Sequence, residues 1–187
     1  MRPSLLAAVI ALALPAAAAD LGLAHDWRQE RDGTVLISRH TAPPPFSVTG
    51  EAEATLTMEA APLAPGQPTL ESIVKDQIDG IRGAVDLADY QERDGHQVDR
   101  GIASWFQTVA GTKVGFVKCR VAGRKGQRLP APRTVIHAIA VKNGLVYLFH
   151  LYVVFAGHQD EVRGDQLRMV EAVLARKPGP AKGGAAR

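Results

Sequence analysis

The chain of 187 residues contains one cysteine, few aromatic side chains and almost no charge excess, and each shortage removes a class of protein. A single thiol excludes an intramolecular disulfide framework and a zinc site built from several thiolates, leaving only mixed sites of histidine and carboxylate. A formal net charge of +3 is too small to argue for a nucleic-acid partner. No apolar run reaches the roughly 20 residues that a membrane-crossing helix needs. The longest stretch, Thr134 to Phe155, is broken by Lys142-Asn143-Gly144. Catalytic motifs are equally scarce. There is no G-x-S-x-G, H-E-x-x-H, P-loop or paired C-x-x-C, and Ser72 and Ser104 stand in no recognisable setting, so no enzyme activity is expected.

What is present begins with a leader pattern. Arg2 precedes the apolar run Leu5 to Leu14, and Ala17-Ala18-Ala19 offers small side chains where a signal peptidase reads. Residues 1–19 are therefore expected to be a signal peptide, residues 20–177 a single domain, and residues 178–187 a disordered tail that lacks large apolar side chains. The expected location is periplasmic or secreted.

Turn dipeptides punctuate the mature chain. Asp32-Gly33, Asp94-Gly95 and Asn143-Gly144 suit the positive φ angles of tight hairpins, and Ala110-Gly111 joins two apolar segments, Gly101–Val109 and Thr112–Val121. Glu51 to Glu59 alternates polar residues with Ala52, Ala54, Leu56 and Met58, as a strand wet on one face would. Two segments have helical period instead. After a Thr69 N-cap, Leu70, Ile73, Val74, Ile78, Ile81 and Val85 form an apolar stripe, and Gly80 and Gly83 within it predict an early helix end or a close backbone approach. From Gln159 to Arg176 a second stripe comprises Val162, Leu167, Val170, Val173 and Leu174, with acids at its start and bases at its end. This order predicts an α+β protein, an antiparallel β-sheet packed with two main helices.

A two-residue turn at Asn143-Gly144 sets Val141 against Val146, Ile139 against Leu148 and His137 against His150. On the other face Ala140 meets Tyr147, Ala138 meets Phe149 and Ile136 meets Leu151, a small-against-large pattern suited to packing under helices. The first face is expected to be open. Its residues Val135, His137, Ile139, Leu148, His150 and Tyr152 form the candidate binding surface for an envelope protein or small ligand. The alternative is a transition-metal site on His137 and His150, with Cys119 or a carboxylate such as Asp94 as third ligand; otherwise no cofactor is expected.

Between Arg120 and Arg133 the chain has no acid. Arg120, Arg124, Lys125, Arg128 and Arg133, interleaved with glycine and proline, predict a flexible basic loop able to hold an anion. Cys119 is expected to be a buried packing residue, Trp27 and Trp105 core or rim anchors, and the acids Glu51, Glu53 and Glu59 guards of a sheet edge.

The opening hairpin from Trp27 to Ser38, the helix from Leu70, Gly101-x-x-x-Trp105, the following hairpins and the closing helix resemble the Mog1/PsbP/DcrB-like superfamily over residues 24–176. That resemblance implies an α/β/α sandwich and a non-catalytic binding role, as in photosystem-associated lumen proteins, a Ran-binding factor, bacterial envelope proteins and secretion chaperones. It implies no particular binding residues and leaves the oligomeric state open.

Overall fold

The computed structural model describes residues 27–32, 35–40, 54–63, 69–89, 95–154 and 159–175. The expected leader and tail lie outside them, as do Glu51, Glu53 and Asp94, and the side chain of Trp27 is not among those described. The architecture is α+β. Among the described residues nine strands join in one antiparallel sheet: β1 (Trp27–Asp32), β2 (Val35–His40), β3 (Ala54–Pro62), β4 (Val85–Ala88), β5 (Val98–Asp99), β6 (Ile102–Val109), β7 (Thr112–Arg124), β8 (Gln127–Lys142) and β9 (Leu145–Val153). The spatial order is β1-β2-β3-β9-β8-β7-β6-β5, with β4 added to β7. Helix α1 (Leu70–Ala84) packs on one face, and helix α2 (Gln159–Ala175) on the other.

Local chemistry accounts for the elements read in advance. Thr69 caps α1 by accepting the Ser72 backbone N–H on Oγ1 at 3.3 Å. Asn143 (φ 53°) and Gly144 (φ 73°) both take the left-handed conformation, and the turn between β8 and β9 produces the expected register, His137 opposite His150. Ala54, Leu56 and Met58 are buried along β3 as its alternation requires. The first hairpin differs slightly. Asp32 pairs with Val35, so its reversal falls one residue later than the Asp32-Gly33 dipeptide indicates.

The basic segment is not a loop. β7 continues to Arg124, β8 starts at Gln127, and Lys125-Gly126 is the turn between them. Two features hold this extension in strand form. β4 pairs with Arg120 to Arg124 on the outer side of β7, and the register between β7 and β8 shifts between Val121 and Gly123. Pro130 and Pro132 fall in the stretch of β8 skipped by that shift, where no ladder donor is needed. Gly123 is required here, because a Cβ would run into the Gln127 carbonyl.

The second unforeseen feature is the seating of α1. Gly80 and Gly83 neither end the helix nor bring anything close: a Cβ on either meets no atom within 4 Å. The close approach is at Gly115 of β7, where a Cβ would collide with Val74 Cγ2 of α1 and lie 3.1 Å from Phe106 Cε1. α2 is locked differently. Asp165 and Gln166, which are not part of the apolar stripe read from sequence, are fully buried, and the Gln166 amide donates to the carbonyls of Ile136 at 2.9 Å and Phe149 at 3.2 Å. At its end the ammonium of Lys142 in β8 donates to the Leu174 carbonyl. A strand residue thus serves the negative end of the helix dipole.

These contacts predict opposite outcomes for two glycine-to-alanine changes. Gly115→Ala should lower stability by about 1–3 kcal/mol through overpacking against a stiff valine. Gly80→Ala, at an exposed helix position, should raise it by about 1 kcal/mol. Urea unfolding of the two variants reads both signs.

Candidate functional site

The two imidazoles do meet. His137 and His150 have ring centroids 4.4 Å apart at 62°, an edge-to-face contact across β8 and β9. The face that carries them is not open in the way its composition indicates. α1 lies over β7 and β8, so Val135, His137 and Ile139 are 6%, 5% and 1% exposed. They belong to a core with Val74, Ile81, Ile102, Val117 and Cys119. The expected docking surface is therefore corrected: its β8 half is interior. Leu148, His150 and Tyr152 of β9 remain half-buried. Beside them on β3, Tyr152 faces Thr55, His150 faces Thr57 and Leu148 faces Glu59, the last exposed. This strip from β9 to β3 is what survives of the surface.

The reason for the division is covalent. No linker separates Ala84, the last residue of α1, from Val85, the first of β4, and β4 is bonded to the far half of β7. The helix is tethered above β7 and its neighbour β8. Sequence reading placed Val85 in the helical stripe and so missed both β4 and the tether.

Burial sets the chemistry of the pair. His137 is held at a pKa of about 3, chiefly because desolvation disfavours its charged form and secondarily because His150 repels a second positive charge. Desolvation also lowers His150. Both rings are neutral near pH 7. The Gln77 amide of α1 lies 3.0 Å from His137 Nδ1 and donates to it, which leaves the ring proton on Nε2. Sequence reasoning overlooked Gln77, although it stands between Val74 and Ile81 on the buried side of the helix. The spacing was the available signal.

Among the described residues no group of three His, Cys, Asp or Glu side chains is placed to hold an ion, and Asp94 lies outside them. Cys119 is 1% exposed in the α1-side core, and burial pushes its thiol up to about 12. It is a packing residue, not a thiolate donor. Trp105 is a rim anchor on the opposite face, stacked on Phe116 at 5.2 Å and on His96 at 4.2 Å. Of the basic residues, Arg124, Lys125 and Arg128 are exposed at the hairpin end, and Arg120 and Arg133 are half-buried. No helix among the described residues is long and apolar enough to cross a membrane.

No protein-family model and no curated protein matches the chain. Among solved structures it is similar to the Pseudomonas aeruginosa protein PA94, with 13% identity, 83% of this chain and 99% of that chain covered, and a TM-score of 0.48. It is also similar to the cyanobacterial PsbP of Synechocystis, with 10% identity, coverage of 78% and 90%, and a TM-score of 0.41. The third is the Saccharomyces cerevisiae Ran-binding protein Mog1p, with 11% identity, coverage of 79% and 79%, and a TM-score of 0.40. At these identities the likeness concerns fold alone.

The buried pair gives stability a defined pH dependence. Unfolded histidines titrate near 6.5, and His137 in the fold titrates at about 3, so the unfolded chain binds more protons between these values. The stability contributed by the neutral His137 ring is complete above pH 6.5 and falls as pH drops toward 3, by at most about 1.4 kcal/mol per pH unit, and the lowered His150 acts in the same direction. Urea unfolding between pH 7 and pH 4 should show this decline, and His137→Leu, of similar volume, should flatten it.

Proposed function

We propose that this chain is an exported, non-catalytic accessory protein of the cell envelope, which binds a protein or small ligand along the strip formed by β9 and β3. The observation that carries the reading is the uneven cover of the α1 side of the sheet. α1 closes the β7–β8 half, whereas Leu148, His150 and Tyr152, at the margin of that core, stay partly exposed beside Thr55, Thr57 and Glu59. The strip combines apolar area with hydroxyl, imidazole and carboxylate groups, the mixture that gives a binding surface both burial and orientation. Export is supported by Arg2, the apolar run Leu5 to Leu14 and the alanines at 17–19.

Two measurements test the reading. Protein purified from the envelope of an expressing bacterium should have the intact mass of a chain beginning at Asp20; an unprocessed mass in the cytoplasmic fraction removes the export half. A photo-crosslinking residue at Thr57 should form a discrete adduct in the envelope, whereas one at exposed Glu171 of α2 should not. Thr57→Arg with Glu59→Arg should abolish capture of the same partner without lowering the melting temperature. Undiminished capture by that double variant rejects the strip.

A further inference from the structure

The end of the β7–β8 hairpin is built unlike the rest of the surface. β9 pairs with β8 only from Thr134 onward, so residues 120–133 run past the last rung of β9 as a separate arm. On the β7 side the arm is stiffened by β4, and the Lys125 N–H donates to the Ala84 carbonyl at the end of α1 at 3.3 Å. Five cations lie along it and no acid lies between them. Lys125 has a carboxylate partner, Asp86 at 3.1 Å, an exposed pair of small energetic weight. Arg120, Arg124 and Arg128 have no ion-pair partner among the described residues.

The register divides the charges between the two faces. Arg128 lies opposite Gly123, which lies opposite Asp86, and Arg120 lies opposite Thr134 and Ala88, all on the α2 side. Arg124 lies opposite Val85 and Gln127, and Arg133 opposite Val121, on the α1 side. Behind the tip is a polarity break: the skipped stretch of β8 reads Leu129-Pro130-Ala131-Pro132, with Ala131 exposed and Leu129 and Pro132 half-buried.

We propose that this arm docks, tip first, on the surface of an anionic lipid bilayer. A flat partner would neutralise the cations of one face and leave those of the other in water. Headgroups surround a tip that enters between them and meet the exposed Arg124, Lys125 and Arg128 together, on both faces. Nucleic acid fits less well, because no aromatic residue lies between Arg120 and Arg133 to stack on bases. The attraction is electrostatic and screened by salt.

The test is co-sedimentation of the full chain with vesicles of phosphatidylcholine alone or mixed with phosphatidylglycerol, in low and high sodium chloride. The apolar run Leu5 to Leu14 is common to every variant, so differences between variants read the arm. Wild-type protein should bind the anionic vesicles about tenfold or more tightly than the neutral ones, and high salt should remove the difference. Arg124→Gln, Lys125→Gln and Arg128→Gln combined should lose that preference with an unchanged melting temperature. Lysine in place of Arg124 and Arg128 should keep it. Equal binding to both vesicle types, an unaltered preference in the triple variant, or retention on heparin without vesicle binding would each overturn the proposal.

Discussion

α1 is tied to the sheet where it ends, and much of the molecule follows from that constraint. Thr69 starts the helix, and at its other end Ala84 passes directly into β4, which hydrogen-bonds to β7. The helix must therefore cross the apolar rows of β7 and β8. Gly115 allows it to come close enough for Val74 to fill the groove, and Gln77 is brought onto His137. The desolvated imidazole pair, the buried Cys119 and the half-closed sheet face all result from one short connection.

The two faces of the sheet solve the same packing problem with different chemistry. Under α2 the contact is largely aliphatic and aromatic, and Gln166 reaches carbonyls of both β8 and β9. That amide ties the helix to two strands of the final hairpin, its nitrogen donating to both while its oxygen has no partner among the described residues. Under α1 the polar element is the histidine pair, kept neutral by burial. A face that reads as a ligand surface in one dimension is half core in three.

The cationic arm shows how a partner strand changes the meaning of composition. Glycine, proline and arginine in alternation signal an irregular loop, because proline removes ladder donors and glycine weakens strands. Here β4 supplies an edge for β7, the shift at Val121 and Gly123 takes the prolines out of the ladder, and Gly123 makes room for the Gln127 carbonyl. The result is a stiff hairpin that holds its charges in defined positions on both faces.

The periodicity of the residues was enough to determine α1 and α2, the alternation of β3 and the turn at Asn143-Gly144, and with that turn the meeting of His137 and His150. These are local matters: a cap, a stripe or a pair of positive φ angles is decided within a few residues. The covering of β8 by α1, the burial of Asp165 and Gln166, and the ordering of residues 120–133 were decided only by the tertiary structure. Each depends on a contact between segments distant in the chain, and β4 is too short to announce itself by any period. Four residues, Val85 to Ala88, thus separate the open face that the sequence describes from the half-closed one that the fold contains.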